Sequence, residues 1–260
     1  MIKIIFTVLL FFFTGFSLIA KTFELGLRFG LGYMPENKFQ SQLDNYKTEN
    51  SPYILSNTHV TSFNKPKNWE IVGRIRWRDK TKFGINVGNT NFPNFHIRET
   101  SSDGYFTNIN LNLSNQYLIF TFHYEWQLRK AFIDTGIGLG INETSLKTDA
   151  TTIGNYYYDR EIGRFSGNGL SYRVETSYNK KLKDKLLFQT GVIFNYHTIP
   201  ELNGIINGVG GSPLLKSDGS VAIMPISAIA DAIGSGVYPV RKLDVTMSNF
   251  ILFCSFIYTF

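Results

Sequence analysis

The last seventeen residues of the chain, Asp244 to Phe260, read DVTMSNFILFCSFIYTF. From Phe250 onward there is no charge, no glycine and no proline. Counting back from the end, every second residue is apolar: Phe260, Tyr258, Phe256, Cys254, Leu252 and Phe250. Period-two alternation is the signature of a β-strand. Strands buried in soluble cores usually run 4–8 residues before a turn, whereas a tilted membrane-spanning strand needs about 9–11. This run is long enough to span.

The same alternation recurs upstream in pieces of about ten residues. Phe23, Leu25, Leu27, Phe29, Leu31 and Tyr33 share one face, with Glu24, Gly26, Arg28, Gly30 and Gly32 on the other. Trp69, Ile71, Gly73, Ile75 and Trp77 oppose Glu70, Val72, Arg74, Arg76 and Arg78; Phe83, Ile85 and Val87 oppose Gly84, Asn86 and Gly88. A fourth piece ends at Leu128, with His123 and Glu125 on its polar face. A fifth sets Ile133, Ile137, Leu139 and Ile141 against Asp134, Gly136, Gly138 and Gly140. A sixth carries Arg173 and Glu175 between Tyr172, Val174 and Tyr178. The seventh runs over 188–196, and the terminal stretch is the eighth. The expectation is an all-β, up-and-down antiparallel transmembrane barrel of eight strands. Ten would require 105–113 and part of 199–242 to form further strands; 105–113 reads better as an upward extension of the fourth.

Connections alternate in length. Strands two–three, four–five and six–seven are joined by a few residues, the others by long segments at about 35–66, 91–115, 143–167 and 199–242. Short turns on one side and long loops on the other are the habit of outer-membrane barrels. In hydrocarbon every backbone polar group must be paired, which only helices and closed barrels achieve. A soluble barrel would put the apolar face inside and the charges outside, and the glycine-rich polar faces fit a crowded interior better. The mean hydropathy of −0.08 agrees, because alternating strands average to neutrality.

At the other end Lys3, the apolar run from Ile4 and the small residues Gly15, Ser17 and Ala20 read as a signal peptide over 1–20, cleaved after Ala20 or Ser17. The barrel domain is then 21–260. One cysteine among 260 residues permits no internal disulfide, and the four histidines match no metal-site spacing. No metal or cofactor is expected. The net charge of +6 collects at Lys21, Arg78 to Lys82, Arg129-Lys130 and Lys180 to Lys185, the short-turn side. No loop holds a basic patch, so nucleic acid is not an expected partner.

The polar faces gather Glu24, Glu70, Glu125, Asp134 and Glu175 with Arg28, Arg74, Arg76 and Arg173. Buried charges must be paired, and eight strands enclose a space that side chains just fill. The plain reading is an ion-pair network plugging the lumen; a conducting path is the sharper alternative. A hydrolase needs nucleophile, base and orienting acid in reach, and His123 with Glu125 near Ser171 or Ser177 is the one candidate set. Trp69, Trp77, Trp126 and Tyr258 lie where aromatic girdles would. Trp69 and Trp77, eight residues apart, are separated by about 26 Å at ~3.3 Å per residue, or about 20 Å vertically at a tilt of roughly 40°. Gly136, Gly138 and Gly140 fall within a strand and make no phosphate loop. Gly204 to Gly211 reads as a glycine-rich loop piece, Ala222 to Ile233 as a short helix, and Tyr156 to Tyr158 as exposed aromatic surface.

Taken together, the leader, the eight strands, the loop asymmetry and the aromatic terminus resemble the small bacterial outer-membrane barrels of the OmpA/OmpX kind, without a periplasmic domain. The terminal alternation at Phe256, Tyr258 and Phe260 resembles the β-signal of such barrels. The resemblance implies insertion by the barrel-assembly machinery, contact with outer-membrane lipid and lipopolysaccharide, and, without a catalytic motif, a role in envelope integrity, adhesion or host contact. Any extracellular ligand would be met through 35–66, 143–167 or 199–242. A small pore and a lipid-modifying hydrolase are the alternatives.

Overall fold

The computed structural model describes residues 22–35, 54–59, 64–101, 104, 106–154, 156–216, 221–225, 240–242 and 245–260. The signal peptide expected over 1–20 lies outside them. Eight strands form a closed ring. In ring order they are β1 (Thr22–Tyr33), β3 (Lys67–Arg78), β4 (Thr81–Asn91), β6 (Phe106–Gln127), β7 (Phe132–Gly154), β8 (Tyr157–Lys183), β9 (Leu186–His197) and β14 (Met247–Thr259). The terminal strand closes it: Leu27 of β1 pairs with Phe256 on one side and with Ile71 of β3 on the other. Every ring pairing is antiparallel.

The exposure pattern is inverted relative to a soluble protein. Arg28, Arg74, Arg173 and Lys82 are the largest fully buried side chains, ahead of any phenylalanine. Leu31, Phe29, Ile137, Leu139, Leu252 and Phe256 stand exposed on the outer wall. An apolar band this continuous exceeds what water-soluble surfaces carry, and lipid is the solvent that satisfies it. The chain is therefore a transmembrane barrel, as the alternation predicts.

The short-turn side is as expected: Arg78 pairs with Thr81 across Asp79-Lys80, Lys183 with Leu186 across Asp184-Lys185, and Leu128 N–H donates to Ala131 O at 2.8 Å. The opposite side differs. The segments read as loops are largely β-structure. β7 and β8 have 23 and 27 residues and stay paired from Phe132–Asn179 to Gly154–Tyr157. That is more than twice the ~9–11 residues a span requires, so the hairpin projects well beyond the membrane. β6 extends with it, as expected for 105–113. Its upper part pairs with β5 (Phe95–Ser101), and β5 with β2 (Ile54–His59). On the other flank β10 (Asn203–Ile206) adds to β8, followed by β11 (Val209–Lys216), β12 (Val221–Pro225) and β13 (Val240–Lys242). The helix expected from Ala222 begins instead as strand β12; residues 226–233 lie outside the described residues. The glycine-rich piece 204–211 is the β10–β11 hairpin, turning on Asn207 and Gly208 at φ of 46° and 84°. Asn-Gly is the pair such turns favour, because both positions need positive φ.

The lumen is layered. Charged groups fill the short-turn half. Neutral polar groups follow. Above them Met34, Phe92, Leu111, Leu113, Leu146, Phe165, Ile199, Leu202, Val245 and Met247 form an apolar cluster at the mouth. Beyond β9 the chain continues between β8 and the start of β14, with Thr198 N–H donating to Leu170 O at 2.9 Å and Val245 N–H to Ile199 O at 3.2 Å, and it joins β8 again as β10. Glycines at 167 and 169 permit this close approach to β8: a Cβ there would meet Glu201 O at 2.1 Å and Thr198 O at 1.4 Å.

Candidate functional site

Alternation sends one face of every ring strand inward, and this brings the sequence-predicted acids and arginines together. Glu70 of β3 accepts from Arg28 Nη1 at 2.9 Å, from Arg173 Nη2 at 2.5 Å and from Tyr117 Oη at 2.5 Å. Glu175 accepts from Arg28 at 3.0 Å and from Arg74 at 2.7 Å. Arg74 also reaches Asp134 at 3.2 Å. Nearer the short turns, Arg76 holds Glu125 at 2.7 Å and lies 3.8 Å from Glu24. β14 brings no charge; its Phe253 ring lies 3.9 Å under the Arg28 guanidinium, a cation–π contact.

One member was missed. Lys82 has the look of a turn residue in the sequence, but it is buried and sits 3.0 Å from Glu24, 3.0 Å from Glu125 and 3.6 Å from Asp134. It shares the inward parity of Gly84 and Asn86, so the pattern carried it; its place beside the Asp79-Lys80 turn hid it. With Lys82 counted, five carboxylates face five side-chain cations. Pairing at this completeness is what makes buried charge tolerable. The inner glycines make the room: a Cβ at Gly136 would lie 2.6 Å from His123 Nδ1, and one at Gly26 would lie 2.8 Å from Ile257 Cγ1.

The candidate hydrolytic set does not assemble. His123 contacts Asp134 at 3.0 Å and Thr121 at 2.8 Å, while Glu125 is engaged by Arg76, Lys82 and Gln127. Ser171 instead contacts His197 Nδ1 at 2.8 Å, and Ser177 receives Gln189 at 2.8 Å. The Ser171–His197 pair was not foreseen. Both residues are fully buried, His197 stacks on Tyr117 at 5.6 Å, and its Nε2 has no hydrogen-bond partner. A nucleophile–base pair requires a third group orienting the base; among the described residues none hydrogen-bonds His197 Nε2. Among the described residues no three His, Cys, Asp or Glu side chains converge as metal ligands.

Trp69, Trp77, Trp126 and Tyr258 all lie exposed on the outer wall, as do Phe256 and Phe260. Phe260 N–H donates to Phe23 O at 2.8 Å, and the two rings are 5.7 Å apart. Outside the band, Phe106, Ile153 and Tyr158 stand directly opposite one another across three strands and are exposed; Tyr156, at the hairpin tip with φ of 65°, is fully exposed. On the 143–167 hairpin Lys147 stands directly opposite Arg164 on the outward face.

No family model matches the chain, and no curated protein matches it. Among solved structures it is similar to the outer membrane protein OprG of Pseudomonas aeruginosa (13% identity, 93% of this chain and 96% of that one, TM-score 0.44). It is also similar to a major outer membrane protein of Thermus thermophilus (9% identity, 92% and 99%, TM-score 0.45) and to Ail, the attachment invasion locus protein of Yersinia pestis (7% identity, 92% and 98%, TM-score 0.38). Scores this low carry no weight for function, and the barrel assignment rests on the ring of strand pairs itself.

Proposed function

We propose that this protein is a non-enzymatic surface barrel of a bacterial outer membrane, with its lumen closed by ion pairs and its long β-extension serving as the contact surface for an extracellular partner. The observation that carries this reading is the division of labour along the barrel. Every acid and cation read from the sequence into the lumen has an opposite charge within 4 Å, which leaves no mobile charge lining for ions. The exposed apolar row Phe106–Ile153–Tyr158 lies instead at the far end, about 30 Å above Ile141 at a strand tilt near 40°. Aromatic and aliphatic groups held that far from lipid on a rigid hairpin are what a protein partner would grip. Trp77, Trp126 and Tyr258 at the short-turn end and Trp69 at the other act as interfacial girdles. The terminal Phe256, Tyr258 and Phe260 serve as the assembly signal.

The test combines topology with conductance. A Tyr156→Cys substitution in a Cys254→Ser background should be labelled by a membrane-impermeant maleimide on intact cells, and the purified barrel should show no discrete steps in planar bilayers. Labelling only after lysis would overturn the orientation. Stable single-channel steps would replace this reading with that of a small pore.

A further inference from the structure

We infer that the outward face of the β7–β8 hairpin, at Lys147 and Arg164, binds the phosphate groups of the glycolipid forming the outer leaflet. This rests on the outer-membrane placement proposed above. The two cations lie on different strands, seventeen positions apart, and the hairpin register sets them directly opposite. Residues so placed have Cβ atoms about 4.5–5.5 Å apart, and like charges there repel. Among the described residues nothing compensates them. The row they belong to runs Asn112, Lys147, Arg164, Ile205 across β6, β7, β8 and β10, with no acid in it. Asn112 is engaged with Asn94 at 2.8 Å.

The outward row below pairs Ser145 with Ser166; above, Asp149 faces Ile162. Asp149 is already taken, accepting two hydrogen bonds from Arg160 at 3.1 and 2.8 Å. Glu143 is four residues down β7 from Lys147, about 13 Å along the strand. The acids Asp159 and Glu161 are on the alternate face of β8. The hairpin thus sorts charges that are mixed in sequence, leaving an unmatched cation pair outward.

Height selects the occupant. Ile141 and Leu170 form the last outward pair of the continuous apolar band, below the polar rows that separate it from Ile153 and Tyr158. Lys147 lies six residues beyond, about 20 Å along the strand and ~15 Å above the hydrocarbon edge at a tilt near 40°. A phosphorylated saccharide headgroup anchored in the adjoining leaflet reaches that level from the side, the direction the two side chains face. A phosphate offers several strong acceptor oxygens and can bridge an ammonium and a guanidinium at once, turning the repulsion into binding.

The experiment titrates purified lipopolysaccharide, and the same material after phosphatase treatment, into the folded barrel in detergent. The variants are Lys147→Gln/Arg164→Gln and a control of equal net charge, Lys180→Gln/Lys185→Gln, at the opposite end. The expected result is a loss of at least about tenfold in affinity for the hairpin variant, none for the control, and no difference between variant and wild type towards dephosphorylated glycolipid. Equal losses in both variants would reduce the effect to net charge and overturn the assignment. So would undiminished binding by the hairpin variant, or a variant-sensitive site that sulfated polysaccharide fills and lipopolysaccharide does not. The surface-labelling experiment at position 156 reads the membrane placement separately, so failure here leaves that reading standing and failure there is seen on its own.

Discussion

Replacing Glu70 by glutamine keeps the side-chain volume and removes one charge from the middle of the lumen. Glu70 accepts from Arg28, from both terminal nitrogens of Arg173 and from Tyr117. A glutamine has one acceptor oxygen for these four donors, and its own amide adds two N–H groups among them. Five cations would then face four carboxylates. Removing one partner of a buried ion pair costs about 3–5 kcal/mol, and Glu70 serves two arginines, so a loss near ~5 kcal/mol is expected. That is a third or more of the roughly 5–15 kcal/mol that separates folded from unfolded proteins. Urea unfolding of the barrel in lipid vesicles, followed by tryptophan emission and by the heat-dependent gel shift, gives the difference. Adding Arg173→Gln restores the charge balance, so the double variant should lose less than the sum of the singles by about 0.5–3 kcal/mol. A single-variant loss under ~1 kcal/mol together with additive losses in the double would mean that water solvates Glu70, and the plugged lumen would be wrong.

Other substitutions probe packing, assembly and the extension. At Gly140 a Cβ would lie 2.0 Å from Leu118 O, so Gly140→Ala should cost roughly 1–3 kcal/mol by overpacking. Gly73, whose nearest Cβ neighbour is Ile85 O at 4.0 Å, should accept alanine with a change under ~1 kcal/mol; the same unfolding assay separates the two. Deleting Phe260 should reduce the heat-modifiable barrel recovered from cell envelopes several-fold, with detergent refolding of the purified chain little changed; equal envelope yields would remove its role in assembly. The hydrogen bond from Arg160 holds the Asp149 carboxyl below the ordinary carboxylate range. A depressed folded value means that its contribution is complete above the ordinary range and lost as pH falls through the depressed one. Amide protection factors at the hairpin tip, corrected for the intrinsic pH dependence of exchange, should therefore fall at acid pH in the parent, and Arg160→Gln should abolish that dependence while leaving global unfolding unchanged.

Strand count, parity and closure were legible because each ring strand alternates over about ten residues, and one face of each must meet lipid. Parity also fixed which charges face inward, since a strand has only two faces. It did not rescue Lys82, whose neighbours Asp79, Lys80 and Arg78 made it look like one more turn residue. The extension was harder to read. Beyond the membrane both strand faces meet water or a small core, so Thr144 to Gly154 loses its apolar stripe and only its β-branched threonines hint at strand. The β10–β11 hairpin did carry a local signal in Asn207-Gly208, obscured by the surrounding glycines. The apolar cluster at the mouth was hidden for another reason. Met34, Phe92, Val245 and the neighbours Ile199 and Leu202 come from four separate places in the chain, none part of a periodic run in a ring strand, and only closure of the barrel brings them together. The Lys147–Arg164 pair likewise exists only through register.

The chain has three tryptophans, Trp69, Trp77 and Trp126, and all three stand on the outer wall. Their fluorescence in vesicles of lipids brominated at successive acyl-chain depths tests the transmembrane barrel most directly. The account predicts strong quenching by lipids brominated near the ends of the hydrocarbon region, weaker quenching from the bilayer centre, and little from aqueous iodide. Emission untouched by brominated lipid but quenched by iodide would place the tryptophans in water and contradict the barrel as described.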